Sequence, residues 1–115
     1  LRYSIVGMNH RKTEAVVAEL KAGAAVTLVR EPDNKYDAFA VMVWVDGVHV
    51  GYIPKSHNKP LAAKIDAGGK KWSPPPVPGV AKDGVMAKDA ALPVHMALDA
   101  KFVRSPNSGY PQVDI

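Results

Sequence analysis

Hydrophobic and polar positions alternate most regularly between Leu28 and Lys55, LVREPDNKYDAFAVMVWVDGVHVGYIPK. Leu28 opens the pattern, Phe39, Val41, Val43 and Val45 continue it at every second position, and Val48 and Val50 resume it, as in half-buried strands. Asp46-Gly47 separates the last two runs and suits a two-residue hairpin turn, whose central residues adopt positive backbone angles. The segment from Arg30 to Asp37 breaks the alternation and reads as a charged loop at one rim of the sheet. Asp33 and Asn34 can bond their own backbone there in a turn.

Weaker patterns flank this centre. Arg2 to Met8 predicts a first strand, with Gly7 marking a bulge or a close backbone approach. Thr13 to Leu20 predicts a short helix capped by Thr13 and ended by Gly23, with Val16 and Leu20 on its buried face. Ala24 to Arg30 is strand-like, with Val26, Leu28 and Arg30 on one face. Pro54 stops the hairpin near Ile53. A turn then enters a helix over Ser56 to Asp66, with Pro60 in its first turn, Leu61, Ala62 and Ile65 on its apolar side and Gly68-Gly69 at its end. Lys70 to Trp72 is extended, and Trp44 and Trp72 read as core or sheet-cover residues. SPPPVPG, Ser73 to Gly79, fits neither a central strand nor a helix and reads as a long connection, with a polyproline ligand as the alternative. A weak strand over Val80 to Lys88 and a firmer one over Leu92 to Val103 follow. Residues 1–104 then form the domain and 105–115 a flexible C-terminal tail. The predicted class is all-β with minor helices, a small modified OB-like antiparallel barrel whose closure protects its strand edges.

Composition narrows the picture. A chain of 115 residues, 47% hydrophobic and 23% charged, is long enough for one core and folds as one unit. The absence of cysteine removes disulfide and thiolate chemistry and fits a reducing, cytoplasmic location. No run approaches the about 18 apolar residues of a spanning helix. Leu1 in place of Met, with strand-like residues directly after it, reads as a domain taken from a longer or processed chain. Fifteen Lys and Arg against eleven Asp and Glu give +4, which favours nucleic acid as a partner where the charges cluster.

The loop and its neighbours supply suitable chemistry. A single-strand binder combines cations for phosphates with planar groups for bases. Arg30, Lys35 and Lys55 offer the first, and Tyr36 and Tyr52 the second. Asn34 or Asp37 can accept a hydrogen bond from a base edge or sugar hydroxyl. Asn9, His10 and Arg11, with Lys12, form a second wall of the patch if the first strand ends beside the loop. A competing reading makes the same residues structural: Asn34 and Asp37 fold their own loop, Arg30 pairs with Glu31 or Asp37, and the tyrosines close the barrel. His10, His49 and His57 are ambiguous, and His95 fits a satisfied, partly buried histidine. The histidines lack zinc-ligand spacing, and Asp33, Asn34 and Asp37 lack the glycine and glutamate of a calcium loop. Gly68-Gly69-Lys70-Lys71 does not complete a P-loop, and no nucleophile triad is evident. The expected molecule is therefore not an enzyme and has no cofactor.

At REPDNKYDAFAV followed by VGYIP the sequence resembles the HIRAN family. The similarity extends to Ile5-Val6-Gly7, the helix around Leu61 and Ile65, and Leu92-Pro93-Val94-His95, so it covers about Tyr3 to Val103. The resemblance implies a modified OB-type barrel, found alone in bacteria and phages and fused to helicase-like remodelling enzymes in eukaryotes. It also implies recognition of single-stranded DNA at a free 3′ end. By resemblance, Tyr36 and Asp37 handle the terminal nucleotide, Lys55 meets phosphate, and Tyr52 occupies another site position. This sequence departs from that pattern at Asn9, where an arginine is expected, and at His10 and Ala90, where aromatics are expected. Arg11 and Lys12 partly restore the charge.

The implied function is a noncatalytic module that binds single-stranded DNA or DNA ends and positions an attached or partner helicase or nuclease, with DNA repair as the setting. The alternative is a protein-interaction or structural module using a sheet edge or the proline-rich loop. That alternative requires an exposed apolar patch and Tyr36 packed inward.

Overall fold

The structure is a computed structural model and describes residues 2–8, 12–74, 94–103 and 111–115. Its elements in chain order are β1 (Arg2–Ser4), α1 (Glu14–Ala18), β2 (Ala25–Arg30), β3 (Val41–Val45), β4 (Val48–Tyr52), α2 (Lys55–Gly68), β5 (Lys70–Trp72), β6 (His95–Val103) and β7 (Gln112–Asp114). The strands form one antiparallel sheet in the order β1-β7-β6-β2-β3-β4, with β5 added to the start of β6. The sheet curls until its ends meet. Just after β1, Val6 exchanges backbone hydrogen bonds of 2.8 and 2.9 Å with Tyr52 at the end of β4. The result is an OB-like half-barrel, all-β apart from the two short helices among the described residues.

Period-two patterning accounts for the interior. Val26 and Leu28 of β2, Val41, Val43 and Val45 of β3, and Ala100 and Phe102 of β6 point into one core. Leu61, Ala62 and Ile65 of α2 close it from one side, as their spacing predicts. The opposite sheet face carries a smaller cluster of Val29, Met42 and Ala97, covered by Trp44, Tyr52 and Trp72. Both tryptophans are half-buried and meet edge-on at 5.0 Å.

The hairpin turn forms as expected, with φ of 49° at Asp46 and 78° at Gly47. Gly51 has a different reason to be glycine. A Cβ built there would lie 2.5 Å from the Val6 carbonyl oxygen, so only a hydrogen lets the two chain segments approach and bridge.

Several expectations are corrected. β3 begins at Val41 rather than Phe39, because Asp37 to Ala40 is taken up by the loop. α1 is shorter than predicted and buries Val17, while Val16 is exposed. Val17 in the helix and Leu20, just past its end, both pack against the core. Thr13 makes no side-chain cap; its hydroxyl donates instead to the Val50 carbonyl in β4. The C-terminal residues are not all tail, because β7 lies between β1 and β6 and buries Val113 completely. The strand expected over Val80 to Lys88, most of SPPPVPG, Ala90 and Leu92 lie outside the described residues.

Candidate nucleic-acid interface

The loop between β2 and β3 is built by short polar side chains folding back on their own backbone. Asn34 Oδ1 accepts the N–H groups of Tyr36 and Asp37 at 2.9 and 3.0 Å. Its amide donates to Glu31 at 2.6 Å, and the same carboxylate oxygen accepts the Tyr52 hydroxyl at 2.9 Å. Asn34 therefore fixes the loop, and Tyr52 ties the loop to the end of β4. Asp37 completes the brace. One carboxylate oxygen accepts the Phe39 N–H at 2.9 Å, and the other accepts the side-chain amide of Asn58 in α2 at 2.7 Å.

The Tyr36 side chain stays outside this brace. It stands 80% exposed, with the Lys35 ammonium 5.3 Å from its ring centroid. Beside it opens a cavity of about 480 Å³. The loop supplies Asn34, Tyr36, Asp37 and Ala40; Val6, Tyr52 and Ile53 form another wall; Lys55 and Asn58 come from the first turn of α2. No side chain caps the N-terminus of α2 and no acidic residue lies in its first turn. The partial positive charge of the helix N-terminus therefore adds to that of Lys55.

The Phe39 N–H and the Asn58 amide hold the Asp37 carboxyl below its ordinary value of 3.8, and the positive charges of Lys55 and Arg30 outside the bonded pair act in the same direction. Asp37 is thus a carboxylate at neutral pH. A negative group at the cavity wall accepts hydrogen bonds from hydroxyl or amino groups and repels phosphate, whereas Lys35 and Lys55 attract it.

The structure thus gathers Asn34, Lys35, Tyr36, Asp37, Tyr52 and Lys55. Arg30 is different. Its side chain is 8% exposed, with Nε 3.1 Å from Asp66 of α2 and Nη1 donating to the Ala40 carbonyl at 3.0 Å. A guanidinium pinned between helix and loop is not a free phosphate contact, and its partner is neither Glu31 nor Asp37. Tyr52 is half-buried, bonded through its hydroxyl and met edge-on by His49 at 4.9 Å. It forms a wall more than an open platform. Asn9, His10 and Arg11 lie outside the described residues. His95 Nδ1 lies 2.9 Å from the Arg30 carbonyl oxygen, a satisfied and partly buried histidine.

Two contributors escaped the sequence reading, Glu31 and Asn58. Asn58 carried a usable signal: it falls on the same helical stripe as Leu61, Ala62 and Ile65 and is 3% exposed. A polar residue on a core stripe needs a partner, and here that partner is Asp37. Among the described residues no group of three or more His, Cys, Asp or Glu is placed to hold a metal ion. Nor does any described helix have the length and apolarity to cross a membrane.

A curled OB-like sheet with an exposed tyrosine and lysines over an open cavity defines a small binding module. Residues 1–73 match the model of the HIRAN domain, and the chain belongs to the HIRAN domain family. HIRAN is a DNA-binding domain family without catalytic activity of its own, so nucleic-acid binding is the class of function supported here. The fold is similar to the crystal structure of a protein from Lactobacillus plantarum, with 24% identity, a TM-score of 0.53 and coverage of 98% of this chain and 89% of that one. No curated protein sequence matches this chain.

Proposed function

We propose that this chain binds single-stranded DNA at a free 3′ end and thereby positions an attached or partner DNA-processing enzyme. The terminal base stacks on Tyr36, and Lys35 and Lys55 meet the adjoining phosphates. Asp37 accepts a hydrogen bond from the terminal sugar hydroxyl. The observation that carries this reading is the exposure of Tyr36 beside a lysine at the mouth of the cavity. A protein-interaction module was expected to pack that ring inward. Ionised Asp37 gives a reason for end selectivity, because a terminal hydroxyl can donate to it and a terminal phosphate is repelled.

The test is fluorescence-anisotropy binding to matched oligonucleotides ending in a 3′-hydroxyl or a 3′-phosphate, with Tyr36→Ala and Lys55→Ala beside the wild type. The reading expects loss of affinity on blocking the end and on either substitution. Equal affinity for both oligonucleotides leaves a binder without end selectivity. No binding at low salt overturns the reading.

A further inference from the structure

Two exposed rings, not one, flank Asp37. Phe39 is 42% exposed, and the ammonium of Lys59 lies 5.2 Å from its ring centroid. Tyr36 and Lys35 form the other pair, at 5.3 Å. Each pair combines a flat apolar surface with a mobile cation, the two groups that one nucleotide of a single strand requires.

Asp37 links the loop and the helix that carry the second pair. Its two carboxylate oxygens bind the Phe39 backbone and Asn58, the residue before Lys59. Both members leave surface open to a ligand where they stand. Phe39 leaves apolar surface in water although the next inward position, Val41, is fully buried. Lys59 follows Lys55 by four residues on α2, a spacing at which like charges repel. An anion between the two lysines relieves that repulsion.

We propose that Phe39 and Lys59 form a second nucleotide position beside the Tyr36 cavity, stacking one base and pairing one phosphate, so that the module grips two successive nucleotides of a single strand. This rests on the reading of the Tyr36 cavity as a single-strand site.

The experiment is anisotropy titration of a fluorescein-labelled ten-residue oligo-dT with a free 3′ end, at several salt concentrations. Wild type, Tyr36→Ala, Phe39→Ala, Phe39→Trp and Lys59→Gln are compared, and each variant is melted to check folding. Loss of one stacked base lowers affinity about 5- to 100-fold in Phe39→Ala, and Phe39→Trp restores it. Lys59→Gln reduces the slope of log K against log salt by about 0.7, the value for one single-strand phosphate. Wild-type affinity and slope in Phe39→Ala and Lys59→Gln, alongside weakened Tyr36→Ala, overturn the second position and leave the first. Absence of binding by the wild type at low salt overturns both.

Discussion

At Tyr36 function and stability separate. The side chain is 80% exposed, so its removal leaves the fold within about 0.5 kcal/mol of wild type, as for most surface substitutions. Single-strand affinity is expected to fall about 5- to 100-fold. Anisotropy and a thermal melt on one Tyr36→Ala sample check both halves. Asn58 behaves in the opposite way. Its buried amide is bonded to a carboxylate, so Asn58→Ala costs about 1.5–3 kcal/mol at neutral pH. The cost depends on pH with a definite sign. The folded pKa of Asp37 lies below 3.8, so the stability its ionised form contributes is present above that value and is lost as pH falls through the folded pKa. The gap between wild type and Asn58→Ala in urea unfolding is therefore expected to narrow between pH 7 and pH 3. A constant gap would mean that the amide does not act through the charge of Asp37. The loop that carries Tyr36 and Asp37 was legible as a polar interruption of a strand pattern, and Lys55 as the residue just past the proline that ends the hairpin. The fates of Arg30 and Asn58 were not, because their partners, Asp66 and Asp37, lie 36 and 21 residues away.

Elements with strong local periodicity were legible too. The hairpin reads from alternation and Asp46-Gly47, and α2 reads from Leu61, Ala62 and Ile65. β7 carries three residues, too few for a period, and its identity as a strand comes from pairing Tyr3 and Phe102 across Val113. Deleting residues 112–115 is expected to strip one ladder from β1 and another from β6, together with the burial of Val113, worth about 1.5–3 kcal/mol alone. A melting temperature unchanged by the deletion would show that β7 is dispensable. Gly51 illustrates how an element's position reaches the site. In Gly51→Ala the new methyl meets the Val6 carbonyl, a backbone atom with no rotamer to yield, and overpacking of this kind costs about 1–3 kcal/mol. Because Val6 and Tyr52 both line the cavity, the substitution is expected to weaken DNA binding as well as lower the midpoint of urea unfolding.

Over the whole molecule a net charge of +4 is modest, and its placement matters more than its size. Arg2 pairs with Asp114, Lys70 with Asp99 and Arg30 with Asp66, which neutralises those cations within the fold. Among the described residues none of these pairs involves Lys55, which lines the cavity, or Lys35 and Lys59, which lie over the Tyr36 and Phe39 rings. A strand bound there releases counterions in proportion to the phosphates it presents to these lysines, with a slope near −0.7 each for single strands. The slope of log K against log salt is therefore expected to lie near −2 if all three lysines engage, and Lys55→Ala is expected to bring it to about −1.4. Lys70→Ala, which removes a cation already paired with Asp99, should leave the slope unchanged. The two substitutions alter net charge equally, so unequal slopes locate binding at the cavity. Equal slopes would mean that the strand responds to the overall charge, and the cavity would then have no claim to be the site.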